Sequence, residues 1–410
     1  MPAGGEGLTV RILLANDGIG DAGGVQSYLA AVIPALLERG HEVAFLHHDR
    51  ERRAGSSPAP SGVPHFCMED RGVEGAVEAA LAWGPEVCFS HNMRPLEAER
   101  RLLGRVPVVK MMHGYFGTCL SGEKTHLFPT PTPCGRAFGV GCLALYLPRR
   151  CGPASLTTLG RSYAWAVEQR ALFGRYAAVV VASEHMRGEY ERGGVPAGRV
   201  HVAPLFPTQP EADDGEDHSG RAGEFTVLFL GRMTRLKGGD LLVRAVADAS
   251  RRVGAPIRLV MAGDGPQRAA WEALARRLGV AAEFPGWVEG PARTALLRSA
   301  SLLAVPSIWP EPFGLTGLEA GALGVPALAL DVGGIGAWLR DGENGWLVPR
   351  GRSPARALAD GLVRAHRHPE ELRALACGAR EAARRLSLAR HVERLEEVLA
   401  SATSPAPAPA

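Results

Sequence analysis

The stretch Glu311-Pro-Phe-Gly-Leu-Thr-Gly-Leu-Glu319 places two carboxylates eight residues apart, with a Pro-Phe-Gly turn between them. An apolar run, Leu302–Val305, precedes it and a helix-forming run begins at Leu315, so the pattern predicts a strand, a tight loop and a helix N-terminus. Glycine lets a ligand approach the backbone closely, and the N–H groups and dipole of a helix N-terminus favour a phosphate. The carboxylates can accept hydrogen bonds from hydroxyls. The stretch therefore suits a ligand with phosphates and hydroxyls; alternatively, Glu311 caps the loop and Glu319 complements the helix dipole.

Outward from this stretch, apolar runs alternate with helical patterns along nearly the whole chain. The predicted strands are Thr9–Leu14, Val43–Leu46, Val87–Ser90, Val106–Met111, Ala177–Ala182, Phe225–Leu230, Ile257–Met261, Leu302–Val305 and Ala327–Leu330. The predicted helices include Val25–Arg39, Asp240–Arg252, Gln267–Leu278, Arg293–Ala300 and Leu315–Leu323. This alternation is typical of parallel, doubly wound sheets, so we expect an α/β protein with two Rossmann-like domains.

An acidic, apolar-poor segment interrupts the alternation between residues 207 and 224 and has the composition of a linker. We therefore predict an N-terminal, acceptor-side domain at 1–206, a linker at 207–224 and a C-terminal, nucleotide-sugar-binding domain at 225–400; the ligand assignments rest on the resemblance described below. The last ten residues, Ser401–Ala410, are of low complexity and are predicted to be disordered.

The composition of the chain limits the classes of protein to which it can belong. The 410 residues carry 46 Lys plus Arg and 43 Asp plus Glu, and a net charge of +3 gives no reason to expect nucleic acid as a partner. No apolar run reaches the ~20 residues that span a bilayer. Met1–Gly7 lacks the basic and apolar regions of a secretion signal, so we expect a cytoplasmic protein. Basic spots such as Arg149-Arg150 leave open peripheral contact with the inner membrane face.

Several polar or glycine residues follow directly on predicted strands, where ligands bind in open α/β sheets. They are Asn16, Asn92, His113, Gly231, Gly263 and Glu311. Asn16 and Asn92 are candidates on the acceptor side. Arg232 and Lys237 lie five residues apart where a strand turns into a helix, so both side chains could reach one diphosphate and replace a metal ion. The alternative for this pair is a solvated basic loop.

The chain resembles the retaining glycosyltransferases of family 4, also called glycosyl transferases group 1, which have the GT-B fold. The Glu311–Glu319 stretch is similar to the E-x7-E signature of that family. Other similar segments fall in the order that the family shows: Gly23-Gly24-Val25-Gln26, His113-Gly114, the run from Gly231 to Gly238, Ala262–Pro266, Phe284-Pro285-Gly286 and Asp341–Gly345.

The resemblance implies two Rossmann-like domains that face a central cleft, and a hexosyl transfer with retention and without a metal. The co-substrate would be a UDP- or GDP-sugar, no cofactor would be required, and the acceptor would be a glycan, a lipid-linked group or a small molecule. Glu311 would bind the donor sugar, Glu319 the ribose, and His113 the reacting centre beside Arg232 and Lys237. The remaining donor-binding positions would be Gly23, Gly24, Gly231, Gly263, Asp264, Gly314, Leu315 and Thr316.

Two other functions share the fold and stay open at this point. A nucleotide-sugar 2-epimerase would use several acids and histidines, and a non-catalytic protein would only bind the nucleotide sugar. One departure from the family also concerns donor contacts, because Ala337 stands after Gly333-Gly334-Ile335, where the family often has a glutamate.

Four of the seven cysteines, Cys119, Cys134, Cys142 and Cys151, lie in the glycine- and proline-rich segment 114–152. A disulfide framework is not expected in a cytosolic chain. The four could hold a structural zinc ion, although no C-x2-C pair is present. Alternatively, they are small apolar side chains in a long acceptor-side loop.

Overall fold

The computed structural model describes residues 9–18, 24–48, 62–208 and 225–403. They form two compact units: the first lies within residues 1–123, 136–204 and 388–410, and the second within 124–135 and 205–387. This division differs from the predicted domains in three places, because a C-terminal helix belongs to the first unit and residues 124–135 and 205–206 belong to the second. Most of the predicted linker, residues 209–224, lies outside the described residues.

The strands of the described part alternate with helices along both units. The strands are β1 (Arg11–Asn16), β2 (Glu42–His47), β3 (His65–Cys67), β4 (Val87–Ser90), β5 (Val108–Met112), β6 (Thr125–His126), β7 (Thr132–Pro133), β8 (Ala178–Val181), β9 (Val200–Val202), β10 (Thr226–Leu230), β11 (Arg258–Ala262), β12 (Ala282–Gly286), β13 (Leu302–Val305), β14 (Ala327–Leu330) and β15 (Gly345–Val348). The helices are α1 (Gly24–Glu38), α2 (Met68–Ala82), α3 (Leu96–Leu102), α4 (Gly141–Tyr146), α5 (Leu156–Ala171), α6 (Glu184–Gly193), α7 (Gly239–Val253), α8 (Arg268–Leu278), α9 (Gly290–Arg298), α10 (Leu315–Ala322), α11 (Pro354–Arg367), α12 (Pro369–Arg385) and α13 (Leu388–Thr403).

The first unit is built on a parallel sheet with the strand order β3-β2-β1-β4-β5-β8-β9. The four residues of β4 and the five of β5 are all buried. Strands covered on both faces read as continuous apolar runs, which is why these strands stand out in the sequence.

The second unit repeats this architecture with the strand order β12-β11-β10-β13-β14-β15, again parallel, and adds the small antiparallel pair β6-β7. Helix α7 packs against α11. It carries Asp240 in its first turn and Arg251 and Arg252 in its last, which complements the helix dipole. The prediction of two Rossmann-like, doubly wound domains is confirmed.

Helix α13 includes Ser401–Thr403, which the sequence assigns to the disordered tail. Val398 and Leu399 are buried, and the hydroxyls of Ser401 and Thr403 donate to the carbonyls of Val398 and Ala400, so the last turn is anchored. Residues 404–410 lie outside the described part. Among the helices that the structure describes, none has the length and apolar character needed to cross a bilayer.

Candidate active site

The two signature carboxylates lie on the loop and helix that follow β13. Glu311 is 5% exposed and Glu319, on α10, is 4% exposed. The backbone between them turns at Gly314, whose φ of +88° favours glycine. Gly317 is also restricted, because a Cβ atom there would lie 2.0 Å from the ring of Trp338. The indole N–H of Trp338 donates to the carbonyl of Phe313 at 2.8 Å, so the tryptophan holds this loop against the helix.

Glu311 is paired through one oxygen only. Its Oε1 accepts a hydrogen bond from Nζ of Lys237 at 2.7 Å and another from the hydroxyl of Ser307. No side chain or backbone group of the described residues donates to Oε2. Lys237 also lies 5.4 Å above the centre of the Trp309 ring, which favours a cation by its π-face. Glu311 can therefore accept a further hydrogen bond, as a sugar hydroxyl would require.

Glu319 is paired through both oxygens. Its Oε1 accepts from the hydroxyl of Thr208 at 2.7 Å, and its Oε2 forms an ion pair with Arg293 on α9. The threonine hydroxyl shows that this carboxylate is oriented to accept from an alcohol. The sequence did not identify Ser307, Thr208 or Arg293 as site residues. Of the three, only Ser307 lies close to a signature carboxylate along the chain, four residues before Glu311.

The N-terminus of α10 supplies backbone donors. The N–H groups of Gly314, Leu315 and Thr316 donate to no acceptor in the part of the chain that the structure describes, as expected for the first turn of a helix. These groups and the helix dipole make this end of α10 suitable for an anion.

The segment from Gly231 to Gly238 follows β10 and is shaped by close backbone approaches. A Cβ atom on Gly238 would lie 2.0 Å from the carbonyl oxygen of Pro306, and one on Gly263 would lie equally close to that of Gly231. Asp264 is largely exposed, and its Oδ1 accepts from the N–H of Gly265 at 2.7 Å. These glycines therefore bring neighbouring strand ends together beside Lys237.

The predicted cation pair is only partly assembled. Lys237 is half-buried and paired with Glu311, whereas the side chain of Arg232 is exposed and makes no hydrogen bond or ion pair within the described residues. Lys237 is the last residue of the 3₁₀ turn Arg235–Lys237, whereas Arg232 precedes that turn. Lys237 is thus fixed in place, and Arg232 retains the freedom to reach an anion.

In the first unit, His113 follows β5 and contacts His91, which follows β4. Nε2 of His113 lies 3.0 Å from Nδ1 of His91, and the two rings stack with 5.3 Å between their centres. Tyr28 meets both rings at an angle, with its centre 5.4 Å from that of His113. Burial of the His113 ring lowers its pKa to about 3, and burial also lowers the pKa of His91 well below its usual range. Both rings are therefore neutral near pH 7.

The protons of this pair can be assigned. Nε2 of His91 is buried and has no partner in the described part of the chain. Orphaned buried N–H groups are rarer than unsatisfied buried acceptors, so we place the His91 proton on Nδ1, where it is donated to His113. The neutral ring of His113 then carries its own proton on Nδ1. His113 is consequently a hydrogen-bond donor rather than an acid.

The hydroxyl of Tyr28 is held by a third histidine, His391. This hydroxyl lies 2.8 Å from Nε2 of His391, whose Nδ1 lies 2.7 Å from the carbonyl oxygen of Pro204. A carbonyl oxygen can only accept, so His391 donates from Nδ1, and the neutral ring accepts the Tyr28 hydroxyl proton at Nε2. Burial lowers the pKa of His391 to about 4, which is consistent with a neutral ring.

A buried ion pair lies beneath His91. The ammonium of Lys110 donates to a carboxylate oxygen of Glu99, to the carbonyl of His91 and, at 3.2 Å, to the hydroxyl of Ser90. The hydroxyl of Tyr176 donates to the other oxygen of Glu99 at 2.6 Å. Each of these groups is satisfied, as a buried ion pair requires. The network fixes the carboxyl ends of β4 and β5, and no local sequence pattern indicates it.

The two acceptor-side asparagines come together at the ends of β1 and β4. The backbone N–H of Asn92 donates to Oδ1 of Asn16 at 3.1 Å. The side-chain amide of Asn16 in turn donates to the carbonyl of Gly18. Asn92 and His91 line a small, half-open pocket, together with Arg94, Phe116 and Trp165. Asn16 thus has a positioning role, and Asn92 faces space that a ligand group could enter.

The remaining residues predicted from the sequence are those of the glycine loop and the four cysteines. Gly23 lies outside the described residues, and Gly24 is the exposed first residue of α1, where a Cβ atom would meet nothing within 4 Å. None of Cys119, Cys134, Cys142 and Cys151 forms a disulfide, and the described residues contain no group of three or more His, Cys, Asp or Glu side chains that could hold a metal. Cys142 and Cys151 instead pack against a small apolar cluster around Tyr146. We therefore do not propose a zinc site.

Comparisons with known proteins agree with this geometry. Residues 22–206 match glycosyltransferase family 4, and residues 213–382 match glycosyl transferases group 1. A D-inositol 3-phosphate glycosyltransferase of Nocardiopsis dassonvillei is 36% identical over 416 residues, covering 96% of this chain and 92% of the relative. A Rhodococcus erythropolis protein of the same name is 35% identical over 225 residues, and this match spans about half the length of each chain.

A solved structure shows the same fold. Anabaena Alr3699/HepE, crystallised in complex with UDP-glucose, superposes with a TM-score of 0.67 at 19% identity, covering 96% of this chain and all of that one. The fold is therefore GT-B, and the chain belongs to the family 4 glycosyltransferases, of the glycosyl transferases group 1 type.

Proposed function

We propose that the chain transfers a hexosyl group from a nucleoside diphosphate sugar to an acceptor hydroxyl, with retention of configuration and without a metal ion. The observation that carries this proposal is that both signature carboxylates are buried and each already accepts from a hydroxyl, Ser307 on Glu311 and Thr208 on Glu319. Glu311 would bind the donor sugar and Glu319 the ribose.

The residues of the second unit suit the leaving group. As the bond between C1 of the sugar and the diphosphate oxygen breaks, negative charge grows on the diphosphate. Arg232, Lys237 and the N–H groups of Gly314, Leu315 and Thr316 would stabilise that charge, while Gly231, Gly263 and Asp264 shape the backbone beside them. The acceptor oxygen forms the new bond to C1 on the same face, and its proton passes to the leaving diphosphate.

The residues of the first unit suit the acceptor side. His113 would donate a hydrogen bond from Nδ1 to a substrate oxygen, because its ring is neutral. Asn92, Phe116 and Trp165 line a small pocket with both polar and aromatic walls, which would suit a single hydroxyl group of the acceptor. Because the N. dassonvillei relative covers nearly the whole chain, D-inositol 3-phosphate is the first acceptor to test, followed by glycans and lipid-linked groups. A cytoplasmic location stays a prediction.

Transfer can be tested with UDP- and GDP-hexoses, the acceptor panel and excess EDTA. We expect release of nucleoside diphosphate only when an acceptor is present, and a product whose NMR coupling constants show the configuration of the donor. An inverted product would refute retention, and inhibition by EDTA would refute metal independence.

The same assay separates the alternative functions. Conversion of the nucleotide sugar into an isomer in the absence of any acceptor would indicate a 2-epimerase. A nucleotide sugar that raises the melting temperature and is never turned over, with every acceptor of the panel, would indicate a binding protein.

A further inference from the structure

Tyr28 lies among three histidine rings of the first unit. Helix α1 begins at Gly24, and Tyr28 follows one turn later with only 5% of its surface exposed. Its ring centre lies 5.4 Å from that of His113, 5.6 Å from that of His91 and 5.3 Å from that of His391. All three pairs are tilted or edge-to-face, which is the geometry that aromatic rings prefer. Tyr28 therefore packs against both histidines of the acceptor side and against a residue from the far end of the chain.

The hydroxyl of Tyr28 is fixed by hydrogen bonds that end on the backbone. Burial raises the pKa of Tyr28 well above its usual range, so the hydroxyl keeps its proton and donates it to Nε2 of His391 at 2.8 Å. Nδ1 of His391 donates to the carbonyl oxygen of Pro204 at 2.7 Å. Because His391 is 3% exposed and both of its nitrogens are bonded, its ring has one orientation. The ring of Tyr28 is therefore held in place relative to the backbone.

His391 reaches this cluster from α13, which packs against β4 and β5 as well as against α1. The two helices are also joined at the surface, where the guanidinium of Arg39, directly after α1, pairs with Glu396 at 2.6 Å. Apolar side chains would suffice to bury α13 against α1. A buried hydrogen-bond network whose members are all satisfied fixes orientation as well. The polar contact between Tyr28 and His391 therefore suits a role in which the orientation of a ring matters.

The ring whose orientation matters is that of His113. It is half-buried, and its Nε2 lies 3.0 Å from Nδ1 of His91. Its Nδ1 can face a substrate only if the ring does not turn about its Cβ–Cγ bond, and Tyr28 meets the ring at 71°. We propose that Tyr28 and His391 are positioning residues for sugar transfer, which together hold the ring of His113 so that Nδ1 faces the substrate. This inference rests on the proposed function, in which His113 contacts the reacting centre.

Steady-state kinetics of substitutions at Tyr28 and His391 test this role. Tyr28→Phe removes the hydroxyl and keeps the ring, and His391→Leu removes the acceptor. Each should lower kcat by about tenfold and leave the KM of the donor unaltered, since a misplacement of about 1 Å costs up to a hundredfold. The double variant should lose no more than either single one, because both changes break the same bond. His391→Gln should retain most of kcat, since its amide oxygen can accept from the Tyr28 hydroxyl.

Arg39→Gln is the matched control, because it removes a contact between α1 and α13 without touching the rings. Its kcat should stay within about twofold of the native value, even if its melting temperature falls. ¹⁵N NMR of histidine-labelled chain gives a second measurement, which needs no activity. We expect His113 of the native chain to be protonated on Nδ1 alone, and to be a mixture of both tautomers in Tyr28→Phe and His391→Leu.

Native kinetics in Tyr28→Phe and His391→Leu, or an equal fall of kcat in Arg39→Gln, would overturn the proposal and leave a purely structural contact. Should His391→Leu not fold, Tyr28→Phe gives the same comparison, because it deletes a single oxygen atom. If the native chain transfers no sugar to any acceptor, the proposed function fails and the NMR signals of His113 decide. A single Nδ1 tautomer in every variant would then show that Tyr28 and His391 do not orient this ring.

Discussion

Nζ of Lys237 lies 2.7 Å from Oε1 of Glu311, so the predicted diphosphate cation and the predicted sugar carboxylate form one ion pair. An ammonium has three N–H donors, and Glu311 uses one of them. Two donors therefore remain for phosphate oxygens, and the same contact fixes the carboxylate that would bind the sugar. Lys237 would link the two halves of the donor.

Replacing Lys237 should impair transfer in both obvious variants. Lys237→Ala removes a charge that would stabilise the leaving diphosphate, and loss of such a partner costs about 3 kcal/mol, or roughly a hundredfold in kcat. Lys237→Arg should also be impaired, because a planar guanidinium cannot direct its donors to Glu311 and a phosphate in the way that a compact ammonium can. Steady-state kinetics measure both effects.

Arg235→Ala is the control for Lys237, because Arg235 is an exposed residue of the same 3₁₀ turn. It should leave kcat within about twofold of the unchanged chain. Unaltered kinetics in both Lys237 variants would show that Lys237 only holds Glu311 in place and does not act on the diphosphate.

Substitution of Glu319 should weaken donor binding, whereas substitution of Thr208 should not. Glu319→Gln removes the charge that pairs with Arg293 and would weaken donor binding. It should also lower the free energy of unfolding by about 2–3 kcal/mol, since the partly buried guanidinium of Arg293 loses its partner. Thr208→Val removes the hydroxyl that occupies Oε1, so the donor should bind equally well or more tightly. Calorimetric titration with UDP- and GDP-sugars measures both; a weaker donor affinity in Thr208→Val would contradict the assignment of Glu319 to the ribose.

Gly317→Ala should destabilise the protein. The added Cβ atom would lie 2.0 Å from the ring of Trp338, so either the ring or α10 has to move. Overpacking of this kind costs about 1–3 kcal/mol, visible as a lower melting temperature. Gly336→Ala is the matched control, because a Cβ atom at that position meets nothing within 4 Å. Equal melting temperatures for the two variants would show that Trp338 does not fix the helix.

The strands, the order of the motifs and the signature carboxylates could be predicted because each depends on local sequence. Val87–Ser90, Leu302–Val305 and Ala327–Leu330 are apolar runs buried on both faces, and their bounds agree with the structure. The partners of the carboxylates could not be predicted, since Arg293 reaches Glu319 from another helix. For the same reason, nothing in the local sequence indicates that His91 contacts His113, or that the buried ammonium of Lys110 is neutralised by Glu99.

The buried imidazoles should make the protein sensitive to acid. The pKa values of His113 and His391 are about 3 and 4 in the folded chain, below the ~6.5 of an unfolded histidine. Between these values the unfolded state binds more protons, so stability is complete above about pH 6.5 and falls as the pH is lowered. In this range each histidine should lower the free energy of unfolding by about 1.4 kcal/mol for each unit by which the pH falls.

Urea unfolding between pH 4.5 and 7.5 measures this dependence. His391→Gln should reduce the slope by about one proton, whereas His368→Gln, a change at an exposed histidine, should leave it unaltered. A slope in His391→Gln identical to that of the unchanged chain would show that His391 does not carry the dependence.

The hydrogen bond between His91 and His113 should determine which nitrogen of His113 carries the proton. With His91 as the donor, ¹⁵N NMR at pH 7 should show His113 protonated on Nδ1. In His91→Phe the ring stacking can persist while the donor is lost, so His113 should shift toward protonation on Nε2 and kcat should fall by about tenfold to a hundredfold. His91→Asn can still donate from its amide to Nε2 of His113, and should retain the Nδ1 tautomer and most of the activity. A tautomer that stays on Nδ1 in His91→Phe would show that His91 only packs against His113.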